Sequence, residues 1–264
     1  MKKTMVIKFG GSIAVDPTIK KGFFKDIAAL WQRGYHMVIC HGGGPEINAI
    51  LQKLGQKPKF VNGLRVTDAK TIEIVEMVLS GKVNKDIVGT LNTLGAPTIG
   101  LSGKDGKLLL AKKIKSQVNL GFVGEVVSVN TKILLSLMKE HVVVVSSLGT
   151  DAKGQTYNIN ADMVATKVAQ ALKAERLVLL TDVKGVLADA ENSSSTIPVI
   201  RAGQVAGLIS KKVVTGGMIP KIKSCREAIL KGVREIDIID GRVPHAMLKI
   251  LSTANKLGTR FLKG

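Results

Sequence analysis

The residue types most suited to chemistry in this sequence are a lysine and the glycines that follow it near the N-terminus. Lys8 stands in the stretch VIKFGGS (6–12), which continues into Gly10, Gly11 and Ser12. Glycines let backbone N–H groups approach an anion closely, and the lysine adds a positive charge. In the common phosphate loop the glycines come first and the lysine closes the loop. A lysine that precedes the glycines would instead lie on the strand before the turn.

Three further glycine turns repeat this chemistry later in the chain. HGGGP (41–45) contains Gly43 and Gly44 and places a proline where a helix would begin. TDVKGVL (181–187) and TGGMIPK (215–221) follow the same plan. Most two-glycine turns are only turns, but the set together predicts a phosphate site. The sequence G-x-G-x-x-G is absent after the first apolar run, which disfavours a dinucleotide-dependent dehydrogenase.

The elements that must position these turns alternate between strand and helix. Short apolar runs predict buried strands at 5–9, 37–40, 98–101, 142–147, 177–181 and 236–239. Helical spacing follows Pro45 and Asp162 and covers 222–229, and a β-ribbon is predicted over 107–114 and 120–128. This pattern indicates an α/β, doubly wound fold with a mostly parallel central sheet, helices on both faces and β-ribbon insertions. Ligands of such sheets bind beyond the C-terminal ends of the strands.

Composition narrows the class of protein. The 264 residues are 45% hydrophobic and 3% aromatic, with a net charge of +19. The basic residues are scattered and few aromatic side chains are present for base stacking, so nucleic acid is not expected as the main partner. Electrostatic attraction of a polyanionic small substrate would explain the positive net charge equally well. So would an amino-acid composition typical of the lineage from which the protein comes. Neither a signal peptide nor a membrane span is predicted, which favours a cytoplasmic location and no membrane partner.

Eight motifs carry a resemblance to a known family. The ordered set resembles the amino acid kinase family over residues 4–262, and within it the branch whose members phosphorylate N-acetyl-L-glutamate in arginine synthesis. Aspartate kinases share the motif KFGGS but are usually longer. Uridylate kinases lack the motifs NGLRVT and TGGMIPK in this form. The motifs are KFGGS (8–12), HGGGP (41–45), NGLRVT (62–67), SGKDG (102–106), LGFVG (120–124), NINAD (158–162), TDVKGVL (181–187) and TGGMIPK (215–221).

The resemblance implies an ATP-dependent phosphorylation of the γ-carboxylate of N-acetyl-L-glutamate. A carboxylate with a pKa of ~4.3 is ionised at neutral pH and needs no general base. Such a reaction needs in-line positioning and neutralisation of crowded negative charge, which lysines and backbone N–H groups can supply. Mg²⁺ is expected to arrive with the ATP phosphates, and the sequence shows no carboxylate cluster that would hold a metal alone.

The resemblance also assigns roles to individual residues. It implies that Lys8 and Lys221 stabilise the transition state and that Asp162 orients both lysines. It implies that Arg65 and Asn158 bind the acidic substrate together with main-chain donors at Gly43 and Gly44. The alternatives are an N-cap at Asp162, a surface arginine at Arg65 and a turn asparagine at Asn158. The predicted phosphate and nucleotide contacts are Gly10, Gly11, Ser12, Thr181, Asp182, Gly185, Val186, Leu187, Val213, Val214 and Thr215.

The expected organisation is one domain over 1–264, with an N-lobe of about 1–175 for the acidic substrate and dimer contact and a C-lobe of about 176–264 for ATP. A homodimer is expected. The resemblance implies that members inhibited by arginine carry an extra N-terminal helix. The strand predicted from Met5 leaves no room for such a helix, so activity is expected not to respond to arginine. Two other functions stay open: a sibling kinase acting on another acidic amino acid, such as acetylaminoadipate, and a non-enzymatic basic binding protein.

Overall fold

A computed structural model describes residues 3–10, 16–189, 191–192, 194–251 and 257–264. The strands are β1 Thr4–Phe9, β2 His36–His41, β3 Phe60–Val61, β4 Leu64–Arg65, β5 Thr98–Ser102, β6 Leu109–Lys113, β7 Val123–Val129, β8 Val142–Ser146, β9 Leu148–Thr150, β10 Thr156–Ile159, β11 Arg176–Thr181, β12 Val199–Arg201, β13 Glu235–Asp240 and β14 Thr259–Leu262. The α-helices are α1 Pro17–Gln32, α2 Gly44–Lys53, α3 Ala69–Glu76, α4 Asn84–Thr93, α5 Thr131–Leu137, α6 Ala161–Leu172, α7 Val205–Ser210, α8 Met218–Leu230 and α9 Ala246–Lys249.

The central sheet has eight strands in the order β12-β14-β13-β11-β1-β2-β8-β5. Neighbouring strands run parallel from β13 through β11, β1, β2 and β8 to β5, whereas β14 runs antiparallel to β13. The prediction of a doubly wound, mostly parallel sheet is confirmed, and all six runs predicted as strands lie in it. The C-terminal ends of β1, β2 and β11 therefore meet at one edge, where the glycine turns follow.

Helices cover both faces of the sheet, and the alternation of side chains along β1 shows why. Met5, Ile7 and Phe9 pack into one buried cluster, which also receives apolar residues of α1, α2 and α4. Val6 points the other way into a second cluster, which receives apolar residues of α6 and α8. A parallel sheet buried on both faces requires apolar side chains at successive positions, which is what the continuous apolar runs provide.

The β-ribbon predicted over 107–114 and 120–128 forms as the antiparallel pair of β6 and β7. These strands close into a small barrel with β9 and β10. Strand β10 carries Asn158, so the barrel fixes one side of the site at the sheet edge. A Cβ atom at Gly124 would lie 2.6 Å from the Cβ atom of Tyr157, so the close contact of β7 with β10 requires glycine there.

Helices α3 and α4 form one continuous helical stretch, joined by a π-helical turn over Met77–Val83. Leu79 and Val83 of this turn are buried and face Gly43 at the start of α2. None of the described helices is long and apolar enough to cross a lipid bilayer. The division into an N-lobe and a C-lobe stays a prediction.

Candidate active site

Lys8 and Lys221 meet at one carboxylate beyond the edge of the sheet. Lys8 lies on β1 and Lys221 in the first turn of α8, so different elements bring them together. The Lys8 Nζ atom lies 3.2 Å from Asp162 Oδ1, and the Lys221 Nζ atom lies 3.3 Å from Asp162 Oδ2. Each carboxylate oxygen therefore faces one ammonium group. The structure brings together the three residues predicted as the catalytic set, while their catalytic roles stay predictions.

Asp162 is free to face the lysines because another residue caps its helix. Asn160 is the N-cap of α6, and its Oδ1 atom accepts hydrogen bonds from the backbone N–H groups of Asp162 and Met163 at 2.8 and 3.3 Å. The alternative reading of Asp162 as the N-cap is therefore wrong. An acidic side chain in the first turn still interacts favourably with the helix dipole.

The charge state of Asp162 follows from its surroundings. Burial raises the pKa of its carboxyl group, but the charges of Lys8 and Lys221 and their hydrogen bonds outweigh burial and hold the pKa below its usual value. At neutral pH the carboxyl group is ionised, and the three side chains carry a net charge of about +1. Such a cluster can attract phosphate oxygens without placing two unbalanced ammonium groups side by side.

Gly10 lies directly beneath the Lys8 ammonium group. A Cβ atom at this position would lie 3.6 Å from Lys8 Cε and 3.7 Å from Lys8 Nζ, so the lysine side chain folds back over the glycine. The predicted phosphate contacts Gly11 and Ser12 lie outside the described residues.

The predicted acidic-substrate residues line one cavity next to this cluster. Gly43, Gly44, Arg65 and Asn158 all contribute to the lining of a cavity of about 150 Å³. Asn160 and Ala161 line it as well, which places it beside Asp162. Gly43 and Gly44 begin α2, and no described side chain caps this helix start. The first N–H groups of α2 are therefore available to an anion.

Arg65 is buried in this cavity instead of extending into solvent. Its side chain packs over the Phe60 ring, with Cζ 4.7 Å from the ring centroid, and its Nη2 atom donates to the Gly44 carbonyl at 3.2 Å. The buried Nη1 atom has no hydrogen-bond partner among the described residues. Burial lowers the pKa of Arg65, but a guanidinium stays charged at any physiological pH. A buried, unpaired N–H donor of this kind calls for an anionic ligand.

Asn158 reaches the same cavity from β10 and is held by a residue that the sequence analysis left without a role. Its Nδ2 atom donates to Thr67 Oγ1 at 3.1 Å, and Thr67 Oγ1 donates to the Arg65 carbonyl at 2.8 Å. Phe60 was also missed as a site residue. The hairpin of β3 and β4 that carries it has only two residues in each strand, too few for a periodic signal.

His41 ends β2 and is fully buried. Burial lowers its pKa to about 4, against a weaker opposing effect of its hydrogen bond with the Gly42 carbonyl. Nδ1 lies 2.9 Å from that carbonyl oxygen, and Nε2 lies 3.1 Å from Asn84 Nδ2. Because a carbonyl only accepts and an amide nitrogen donates, the ring is neutral with its proton on Nδ1. His41 fixes the turn before Gly43.

The segments predicted to bind nucleotide follow β11 and precede α8. The Thr181 hydroxyl donates to the Val183 carbonyl at 3.0 Å, and the Asp182 carbonyl accepts from Arg242 at 2.7 Å, so the turn after β11 is shaped by its own contacts. At Gly185 a Cβ atom would lie 2.7 Å from Thr259 Oγ1. Leu187 pairs with Thr196 in an isolated bridge.

Two of the predicted nucleotide contacts face the core. Val186 and Val214 are both buried, with 0% and 3% of their surface exposed, and they belong to the cluster on the α6 and α8 face. The Val186 N–H group donates to Thr259 Oγ1 at 2.8 Å. These two side chains therefore support the segments from below, whereas Val213 is only partly buried and the Thr215 carbonyl accepts from the Met218 N–H group.

A metal fits this site only together with phosphate oxygens. Both oxygens of Asp162 already face lysines, and the described residues contain no group of three or more His, Cys, Asp or Glu side chains that could hold an ion. Mg²⁺ is commonly held by one or two carboxylates plus substrate phosphates. The site chemistry is compatible with a metal that arrives on the nucleotide.

Residues 3–240 match the amino acid kinase family. Among curated relatives, an acetylglutamate kinase of Nostoc punctiforme is 49% identical over 98% of this chain and 87% of its own length. An acetylglutamate kinase of Caldanaerobacter subterraneus is 48% identical over 97% of this chain and 86% of its own.

Solved structures show the same fold. A protein of Streptococcus mutans superposes with a TM-score of 0.81 at 31% identity, and each chain is covered completely. An N-acetylglutamate synthase of Neisseria gonorrhoeae, solved with coenzyme A and N-acetyl-glutamate, superposes with a TM-score of 0.86 at 23% identity. The match covers 99% of this chain and 60% of that synthase. The likeness therefore concerns only the fold that this chain shares with the matched part of the synthase.

Proposed function

This chain belongs to the amino acid kinase family, and we propose that it transfers the γ-phosphoryl group of ATP to the γ-carboxylate of N-acetyl-L-glutamate, a step of arginine synthesis. The names of its curated relatives at 45–49% identity support this activity. The observation that carries the proposal is the pair of lysines on one carboxylate, beside a cavity that holds a buried guanidinium with an unpaired donor.

The reaction forms a bond between a γ-carboxylate oxygen and the γ-phosphorus of ATP and breaks the bond from that phosphorus to the β,γ-bridging oxygen. ADP leaves with the bond's electron pair, and the product is an acyl phosphate. The attacking carboxylate is already ionised, so no proton has to be removed. The catalytic task is to hold two anions in line and to stabilise the charge that spreads over the transferring phosphoryl group.

Lys8 and Lys221 perform that stabilisation, since both ammonium groups lie at the sheet edge and point to the same place. Asp162 keeps them together before the nucleotide arrives and leaves their remaining N–H donors free. The N–H groups at Gly10 and at the start of α2 add main-chain donors, which are most effective in a site with little water.

Arg65 binds the α-carboxylate of the amino acid through its guanidinium group, which lines the cavity. Asn158 binds the same molecule through its amide. The segments 181–187 and 213–215 form the nucleotide side. Mg²⁺ carried on the ATP phosphates supplies further charge neutralisation when it is bound.

The cytoplasmic location, the homodimer, the lack of response to arginine and the absence of a nucleic-acid partner stay predictions. The names of the relatives favour acetylglutamate over the longer acetylaminoadipate as the acceptor.

Release of ADP from ATP tests the proposal with N-acetyl-L-glutamate, N-acetyl-2-aminoadipate, glutamate, aspartate and UMP as acceptors in parallel. We expect the highest kcat/KM with N-acetyl-L-glutamate. A higher kcat/KM with any other acceptor, or no turnover with N-acetyl-L-glutamate, would contradict it.

A further inference from the structure

We propose that Thr67 is a positioning residue that selects the orientation of the Asn158 amide in the acidic-substrate site. This inference rests on the function proposed above. Thr67 lies in the motif NGLRVT (62–67), and it is buried and does not line the cavity. Its hydroxyl group nevertheless joins the Asn158 side chain to the backbone carbonyl of Arg65, the two residues assigned to the substrate.

The hydroxyl group has one hydrogen, and its use determines what Asn158 can present. Thr67 is completely buried, and Oγ1 donates this hydrogen to the Arg65 carbonyl at 2.8 Å. Oγ1 then faces Asn158 only as an acceptor. The Asn158 amide must turn its nitrogen toward Thr67, at 3.1 Å, because its oxygen would meet a lone pair there. The second N–H of the amide and its Oδ1 atom are left for the cavity.

The backbone of Thr67 is held by hydrogen bonds with Leu120 and Phe122, which fix the position of the hydroxyl group. Its N–H group donates to the Leu120 carbonyl at 2.9 Å, and its carbonyl accepts from the Phe122 N–H group at 2.7 Å. Between these residues, a Cβ atom at Gly121 would lie 2.0 Å from the Thr67 carbonyl oxygen. Only glycine permits this approach, and the motif LGFVG (120–124) thereby anchors the joint between Arg65 and Asn158.

A fixed amide matters for the proposed substrate because an N-acyl amino acid presents both a donor, its amide N–H, and acceptors, its oxygens. Asn158 with its nitrogen on Thr67 offers one acceptor and one donor in fixed places. Without the Thr67 hydroxyl group, both amide orientations become accessible and only one of them suits the substrate. The loss falls on binding of the amino acid and leaves ATP binding unchanged.

Thr67→Val removes the hydroxyl group and keeps the shape of the side chain. We expect KM for N-acetyl-L-glutamate to rise roughly tenfold, which is the usual effect of one lost hydrogen bond, while KM for ATP stays within about twofold. Thr67→Ser restores the hydroxyl group and should restore the affinity. Thr67→Ala carries the same expectation as Thr67→Val and places no methyl group against the amide, so it serves where the valine variant does not fold.

Thr98→Val is the matched control. Thr98 is also buried, and its Oγ1 atom donates at 2.7 Å to the carbonyl of Ala96, again two residues earlier in the chain. Thr67 and Thr98 therefore share the same local hydrogen bond, and Thr67 differs in the bond from Asn158. A rise in KM for the amino acid in both valine variants would overturn the inference.

A double-mutant cycle separates orientation of Asn158 from a general structural effect. In an Asn158→Ala background, Thr67→Val should change KM for N-acetyl-L-glutamate by less than about twofold. A tenfold change that persists in this background would place the effect on Arg65 or on folding and would overturn the inference. So would a Thr67→Val variant with the wild-type KM. Failure of the wild-type protein to use N-acetyl-L-glutamate would instead contradict the proposed function.

Discussion

Two glycine pairs begin helices at the same edge of the sheet, and their surroundings differ. At Gly43, a Cβ atom would lie 2.7 Å from Leu79 Cδ2 and 3.0 Å from Val83 Cγ2. At Gly216 and Gly217, no described atom beyond the chain neighbours lies within 4 Å of such a Cβ atom. Packed side chains leave no room for a Cβ atom at Gly43, whereas the second pair has open space above the helix start.

This difference divides the site into a packed side and an open side. The packed side comprises Gly43, Arg65, Thr67 and Asn158, whose positions are set by neighbours in the fold. The open side comprises the start of α8, where the predicted nucleotide segment meets solvent. Substitutions on the packed side should reduce stability and amino-acid binding, whereas substitutions on the open side should reduce the rate or nucleotide binding and leave stability unchanged.

The largest expected effect is on the lysine pair, which joins the two sides. Lys8→Ala or Lys221→Ala should lower kcat by about 10²–10³-fold, because each removes a positive charge that we propose stabilises the transition state. Substitution of either lysine by arginine should not restore the rate, since a planar guanidinium group does not replace the compact charge of an ammonium group. Steady-state kinetics with thermal unfolding checks this prediction. Lys82→Ala removes an exposed lysine of another ion pair and is the control; a near-normal kcat for Lys8→Ala would remove that lysine from the mechanism.

The packed side should be sensitive to acid through His41. Its pKa is about 4 in the folded protein against 6.5 for the unperturbed group, so the unfolded chain binds the proton first as pH falls. The free energy of unfolding should decrease as pH falls from about 6.5 to 4, by roughly 3 kcal/mol at most. Chemical denaturation of the wild type and of His41→Gln across this range measures the difference. Parallel pH profiles for the two proteins would contradict the prediction.

Arg65→Lys sharpens the comparison from the ligand side. A lysine keeps the charge but loses the planar, two-donor geometry of the guanidinium group that lines the cavity. We expect KM for N-acetyl-L-glutamate to rise about 10–100-fold and KM for ATP to change little, because the proposed role of Arg65 is to bind only the amino acid. Equal increases in both KM values would indicate that the packed and open sides are not independent.

The smallest expected effect is the difference in stability between alanine substitutions at Gly43 and at Gly217. Gly43→Ala should lower the free energy of unfolding by about 1–3 kcal/mol, since its new methyl group meets Leu79 and Val83. Gly217→Ala has open space and a φ of −66°, so its stability should stay within about 0.5 kcal/mol of the wild type. Urea denaturation measures both variants. If steric overlap is the cause, Gly43→Ala should cost less stability in a Leu79→Ala background than in the wild type.

Local pattern predicted much of this molecule. The strands from 5–9 to 236–239 are confirmed because a strand buried on both faces needs only a short apolar run, which sequence displays directly. The meeting of Lys8, Asp162 and Lys221 agrees in geometry with the prediction, since each of the three stands near the end of a strand or the start of a helix.

Contacts between segments that are distant in the sequence could not be predicted from local sequence pattern. Closure of the barrel depends on pairing of β9 and β10 with the predicted ribbon. The bond of Asn158 with Thr67 joins residues 91 positions apart, and no local period records it. The contact of Leu79 and Val83, in the π-helical turn Met77–Val83, with Gly43 likewise joins distant segments, and neither helix propensity nor apolar spacing specifies it.

The capping of α6 by Asn160 has a consequence for how such a site can change over time. One residue satisfies the helix start and another, two positions later, balances the lysines. A substitution at Asn160 would cost about 1 kcal/mol of stability and leave the charges of the cluster in place. A substitution at Asp162 would alter the charges and keep the helix. Selection can therefore change stability at Asn160 and the charge of the cluster at Asp162 separately. A variant that improves one of these properties need not lose the other.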